Sequence, residues 1–150
     1  MNYKIIPEGF KDDVSSEVST EHQFQNLILE HFQKNGFSLV KTPLIEYSNQ
    51  NTSKNVFKLI VNKNENNLNI RDDITLQVAR LSQTRLSKRI RPLKLCYYGE
   101  VIRKEGSMLR PERQFLQIGA ECIGENSYLA DVEILELAFN SLSLVGIKKI

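Results

Sequence analysis

The sequence predicts a mixed α+β domain, a sheet built on two long strands and flanked by helices. Four stretches predict it. Residues 94–103 and 113–123 alternate along their length and are joined by a charged loop. Residues 16–35 and 127–142 instead carry apolar side chains at helical spacing. A period of two marks a strand and a period near 3.6 marks a helix, so the chain holds both.

The first long strand sets Cys96, Tyr98, Glu100 and Ile102 on one side and Leu95, Tyr97, Gly99, Val101 and Arg103 on the other. In the second, Leu116, Ile118, Ala120 and Cys122 form an unbroken apolar face. The opposite face carries Phe115, Gln117, Gly119, Glu121 and Ile123. One face is therefore expected to be buried under helices, while the other presents an amide, a carboxylate and a gap. Glycine inside a strand marks a place where a ligand or another backbone comes close.

The remaining elements follow in order. Pro7 and Gly9 force a turn in a short lead-in over residues 3–10. Phe24, Leu27, Ile28, His31 and Phe32 give residues 16–35 an amphipathic stripe, and Asn35-Gly36 ends the helix. Residues 37–44 read as a strand in which Pro43 lacks an amide donor. Residues 56–61 and 68–71 read as a hairpin with a polar tip over residues 62–67. Asp72 or Asp73 caps the next helix, with Thr75 in its first turn and Ile74, Val78 and Leu81 as its buried stripe. A final helix over residues 127–142 carries Leu129, Val132, Leu135, Phe139 and Leu142 near one face and ends at Gly146, and residues 147–150 begin a strand.

Composition narrows the function. The chain has 150 residues, 41% apolar and 25% charged, with a net charge of +2, as expected of one ordinary globular domain over residues 1–150. No apolar run is long enough to cross a membrane. The opening MNYKIIPEGFKDDV lacks an apolar signal core, so a cytoplasmic protein is expected. Cys96 and Cys122 both fall on apolar faces and read as buried free thiols. His22 and His31 point to opposite sides of one helix and cannot share a metal. Arg80, Arg85, Lys88, Arg89, Arg91 and Lys94 accumulate without an intervening acid. Such a patch can hold phosphates, but no aromatic side chains are interleaved to stack on bases, so a solvated face is the better reading.

One motif carries chemistry. Arg103-Lys104-Glu105, a short loop, then RQFLQIGAE from Arg113 to Glu121 resembles motif 2 of the class II aminoacyl-tRNA synthetases, in particular the histidyl branch. The long helix, glycine turn and strand over residues 16–44 resemble motif 1, the dimerisation element of those synthetases. The histidyl branch holds both histidyl-tRNA synthetase and the regulatory subunits of ATP phosphoribosyltransferase. The synthetase carries Arg-Pro-Glu-Gly-Thr where this chain has Arg71, Asp73 and Thr75, followed by Gln77 and Arg80. That wording resembles the regulatory subunits.

The resemblance implies a class II synthetase-like mixed or antiparallel sheet, incomplete because the motif 3 half is absent. It implies a histidine pocket lined by Asp73, Thr75, Gln117 and Glu121, although helix capping explains Asp73 equally well. It implies a phosphate or ATP-like groove at Arg103 and Glu105, with Glu105 steadying the loop or the adenine. It also implies a protein without catalysis of its own and without a cofactor. The motif 2 loop GSMLRPE departs from the synthetase pattern, Arg110 only loosely replacing its second arginine. Without the motif 3 arginine, adenylate formation lacks one of its electrostatic clamps. The implied partners are the catalytic subunit of ATP phosphoribosyltransferase, a second copy or hetero-oligomer, and L-histidine as effector; tRNA is not expected. The alternative is a fragment of a histidyl-tRNA synthetase that binds histidine and ATP.

Overall fold

The computed structural model describes residues 5–48, 54–60 and 67–147. Its elements run α1 (Ser15–Lys34), β1 (Ser38–Val40), β2 (Ile45–Tyr47), β3 (Phe57–Leu59), β4 (Leu68–Ile70), α2 (Thr75–Gln83), β5 (Leu93–Ile102), β6 (Gln114–Ile123) and α3 (Tyr128–Leu144). One sheet has the order β1-β5-β6 and a smaller one the order β2-β4-β3. β1 pairs parallel to β5, with Leu39 opposite Cys96, whereas both pairings of the small sheet are antiparallel. The mixed α+β class is the one expected.

The chain divides into two compact units. The first gathers residues 1–13, 43–74 and 99–117, and the second gathers residues 14–42, 75–98 and 118–150. β5 and β6 are long enough to contribute residues to both.

In the second unit, α1 and α3 cover the apolar side of the strands. Phe32, Phe37, Cys96 and Leu137 form the core, and Ile28, Ile118, Ala120 and Ile134 pack around it. The ends of both helices are closed by one device. Gly36 and Gly146 take positive φ (84° and 92°), which glycine adopts without a Cβ clash. The next amides, of Phe37 and Ile147, then reach back to the carbonyls of Phe32 and Leu142 at 3.1 and 3.0 Å. At the other end of α1, the Glu17 carboxylate accepts from the Val14 amide at 3.2 Å. The Ser127 hydroxyl caps α3 by accepting from the Ala130 amide.

The first unit is held by its small sheet and by arginine. Phe57 and Leu59 pair with Ile70 and Leu68, as the hairpin reading requires. Most of the expected tip, residues 62–66, lies outside the described residues. Arg113 ties the lead-in turn to this unit. Its amide donates to the Gly9 carbonyl at 2.8 Å and its Nη1 to that of Glu8 at 2.9 Å. Its guanidinium stacks 4.7 Å from the Phe57 ring centre and 5.1 Å from that of Phe10.

Four expectations need correction. The strand expected over residues 37–44 is shorter, β1 alone over Ser38–Val40, and the chain enters the other sheet only at β2 (Ile45–Tyr47), beyond Pro43, which cannot donate to a ladder. On α1, Leu29 and Phe32 are the buried pair, and Phe24 and Leu27 lie at the exposed edge. On α3 the expected stripe faces outward, and the helix buries Leu137 and Ser141 instead. Of the two thiols, Cys96 is buried but Cys122 only half so. The expected C-terminal strand falls almost wholly on residues 148–150, outside the described residues.

Candidate functional site

The six residues singled out by sequence fall into separate clusters. In the first unit, Asp73 sits two residues before α2 and Gln117 lies on β6. The Gln117 Nε2 donates to the Asp73 Oδ2 at 2.9 Å. That bond fixes the amide orientation, so the other end of the amide is the carbonyl oxygen. This Oε1 is buried and has no partner among the described residues. A buried acceptor without a donor is costly, about 1–3 kcal/mol, so the spot suits a ligand that brings an N–H.

In the second unit, Thr75 and Glu121 meet through a residue to which the periodicity reading gave a strand face but no role. The Tyr97 hydroxyl lies 3.2 Å from the Thr75 Oγ1 and donates to the Glu121 Oε1 at 3.2 Å. With the phenol proton given to the carboxylate, the Thr75 hydroxyl is the donor of the first bond. Glu121 is thereby held with one oxygen bonded and is half-buried. A carboxylate so fixed attracts an ammonium by a charge-assisted bond.

Gly119 explains why Tyr97 can stand there. A Cβ at position 119 would come within 2.5 Å of the Tyr97 Cζ. The glycine gap expected from the sequence is thus filled by a tyrosine ring of the neighbouring strand. The same exchange occurs in the first unit, where a Cβ on Gly99 would sit 3.1 Å from the Arg71 Cζ. Arg71 is buried and donates from Nε to the Glu100 carbonyl at 2.8 Å. Burial lowers its pKa, and the charges of Glu100 and Glu46 oppose that shift. For Tyr97 and Gly119, a large side chain facing a glycine on the neighbouring strand was the signal available in the sequence; Arg71 lies just past the end of β4 and offered no such pattern.

Arg103 and Glu105 stand at the end of β5 and in the loop after it. The Arg103 amide donates to the Arg113 carbonyl at 2.7 Å, and Arg113 Nε donates back to the Arg103 carbonyl at 3.3 Å. The Arg103 guanidinium lies 5.0 Å from the Phe115 ring centre and that of Arg110 lies 4.2 Å from it. Neither forms an ion pair with a carboxylate among the described residues. Two guanidinium groups on one aromatic ring make a place for phosphate oxygens. Glu105 is exposed, and only its backbone is fixed: Asn55 accepts from its amide at 2.7 Å and donates to its carbonyl at 3.1 Å. Among the described residues, no three His, Cys, Asp or Glu side chains are grouped to hold a metal ion. No described helix is long and apolar enough to cross a membrane.

Of the basic run, Lys94 pairs with Glu133 and lies over the Phe37 ring at 5.9 Å. Arg91 Nη2 donates to the Ser82 carbonyl at 2.9 Å. Arg80, Arg85, Lys88 and Arg89 are exposed.

Comparison with known proteins agrees with this architecture. A family profile described as histidyl-tRNA synthetase matches residues 9–150. The ATP phosphoribosyltransferase regulatory subunit of Rhodospirillum centenum is 37% identical over 149 residues, which cover 95% of this chain and 39% of that protein. The subunit of the same name from Paramagnetospirillum magneticum is 35% identical over 153 residues, covering 97% of this chain and 40% of the relative. The chain therefore spans about two fifths of the length of these curated relatives. A crystal structure described as an ATP phosphoribosyltransferase regulatory subunit/histidyl-tRNA synthetase from Bacillus halodurans superposes with a TM-score of 0.85 at 26% identity, over 99% of this chain and 40% of the other. Apo histidyl-tRNA synthetase of S. aureus shares the fold, with a TM-score of 0.80 at 23% identity, over 95% of this chain and 35% of the other. The chain belongs to the histidyl-tRNA synthetase family and, within it, is similar to the regulatory subunits of ATP phosphoribosyltransferase.

Proposed function

We propose that this chain works as part of a cytoplasmic, non-catalytic regulatory subunit of ATP phosphoribosyltransferase. In this reading it is needed by the short catalytic subunit in the first step of histidine biosynthesis, and it carries histidine feedback as an oligomer with that subunit. The names of its curated relatives and the Arg71, Asp73, Thr75, Gln77, Arg80 wording support the reading.

Histidine is the ligand proposed for Asp73, Thr75, Gln117 and Glu121. The observation that carries this is the buried Gln117 Oε1 without a donor beside the Asp73 carboxylate. An ammonium or imidazole N–H supplies what that oxygen lacks. Glu121, oriented by Tyr97, offers a second carboxylate to the same class of ligand. Titration calorimetry with L-histidine tests the assignment. Gln117→Ala and Glu121→Ala are expected to weaken binding about tenfold or more, since hydrogen bonds involving charged groups contribute about 1.5–3 kcal/mol. Unchanged affinity in both variants removes the assignment. The regulatory role is tested by phosphoribosyl-ATP formation by a short-form catalytic subunit, with and without this chain. The expected result is stimulation that histidine reverses; binding of histidine without stimulation keeps the site and discards the role of this portion.

A second reading, a histidyl-tRNA synthetase fragment that binds ATP beside histidine, draws on Arg103 and Arg110 around Phe115. Saturable ATP binding lost in Arg103→Ala would favour it.

A further inference from the structure

Arg71 is a charged residue in an interior place. It is 6% exposed, stands immediately after β4 and precedes Asp73 by two residues. Hydrogen bonds tie it to Leu44, Glu100 and Ile102, all within the first unit. Its amide donates to the Leu44 carbonyl at 3.0 Å, and its carbonyl accepts from the Ile102 amide at 3.0 Å. Its Nε donates to the Glu100 carbonyl at 2.8 Å. The guanidinium passes over Gly99, where any Cβ would collide with Nη2, and lies in the field of the Glu100 and Glu46 carboxylates.

Packing alone does not call for an arginine here. Taking a charge out of water is expensive, and an apolar side chain of similar volume fills a buried place without that cost. What the guanidinium adds is direction, because its N–H groups form a rigid planar fork. The Nε bond and the two backbone bonds together fasten the chain at residue 71 to β5 and to the entry of β2. Two residues of chain span at most about 7 Å, so fastening Arg71 also confines Asp73. The Asp73 Oδ2 accepts from the Gln117 Nε2 at 2.9 Å. That bond is what turns the Gln117 Oε1 into its buried position without a donor.

We propose that Arg71 is a positioning residue of the ligand site: by clamping the chain to β5 it places the Asp73 carboxylate, and through it the Gln117 amide, in the orientation that a ligand N–H meets. The inference rests on the histidine reading for the identity of the ligand. Its geometric content, the hold of Arg71 on the Asp73–Gln117 bond, is measurable with no ligand present.

Nitrogen-15 NMR of the whole chain reads it, through the exchange with water of the Gln117 side-chain amide protons, assigned by their absence in Gln117→Ala. Two variants disturb Arg71 differently. Arg71→Lys keeps the charge and the stem but lacks the planar fork. Gly99→Ala keeps the arginine and puts a methyl group in the space of its guanidinium. In both, the Gln117 amide protons are expected to exchange at least about tenfold faster, the loss of one hydrogen bond to a charged group. The backbone amides of β4, the central strand of the small sheet, should keep their protection. A role in stability alone would speed both sets of protons together. Calorimetry with L-histidine should show affinity reduced at least about tenfold in the same variants. Gln117 protons that exchange as in the unaltered chain overturn the proposal, and so does a loss of protection that β4 shares equally. If the unaltered chain takes up no histidine, the histidine reading fails by itself, and the Gln117 exchange still decides the role of Arg71.

Discussion

At the scale of single residues, two glycines serve side chains of the protein itself. Gly119 leaves room for the Tyr97 ring, and Tyr97 in turn links Thr75 to Glu121. Gly119→Ala must push that ring aside, and overpacking of this kind costs about 1–3 kcal/mol. The expected outcome is a lower urea midpoint together with weaker histidine binding. A second change, Tyr97→Ala, removes the obstacle, so the double variant should be destabilised by less than the sum of the two single changes. Additive losses would mean that the two residues do not share the space. The thiols give a prediction in pH. Burial raises the pKa of Cys96, and burial also raises that of Cys122, with Lys94 opposing and Glu133 and Glu125 adding to the shift. The folded state then holds these protons more tightly than the unfolded chain. Their contribution to stability is complete below the ordinary thiol value of about 8.5 and is lost as pH rises through the folded values. Denaturation across this alkaline range should show a fall in stability that flattens in Cys96→Ala. A disulfide reagent at neutral pH should label half-buried Cys122 before Cys96.

At the scale of elements, the caps are the accessible weak points. Ser127 supplies the one described side-chain cap of α3, and its replacement by alanine should cost about 1 kcal/mol in chemical denaturation. The sequence made some elements easy to read and hid others, for physical reasons. The first helix and the two long strands were legible because each carries a dozen or so residues of steady periodicity and a glycine or charged stop. β2 was not, since three residues after Pro43 are too few to display alternation. The parallel pairing of β1 with β5 was not either, because nothing local encodes which distant strand a short one joins. α3 shows the deeper limit. Periodicity revealed an apolar stripe over Val132, Leu135, Phe139 and Leu142, but a helix with two apolar sides gives no sign of which one faces its own sheet. The candidate site was legible only in part. Asp73 and Gln117 do meet, whereas Tyr97 was given no role because, on a strand, a tyrosine reads first as core packing.

At the scale of the molecule, length is the first consideration. The chain matches relatives over about two fifths of their length, so its own stability is the first quantity to secure. A ligand that binds only the folded form raises stability by RT ln(1 + [L]/Kd), about 2.7 kcal/mol at a hundredfold excess over Kd. L-histidine is therefore expected to raise the melting temperature in a concentration-dependent way, and Gln117→Ala should lose the effect. A shift that persists in that variant would place histidine elsewhere. The loop between β5 and β6 supplies a further experimental handle. Ser107 and Arg110 exchange backbone bonds of 2.7 and 3.2 Å, and the Arg110 amide also donates to the Ser107 hydroxyl oxygen at 3.0 Å. This closed turn holds Met108 and Leu109 fully out in solvent. A thioether held in the open is oxidised by peroxide without waiting for any unfolding, and mass spectrometry counts the added oxygen. Met108 is thus a footprinting reporter already present in the chain: any protein that covers the loop will announce itself as a slower rate of sulfoxide formation.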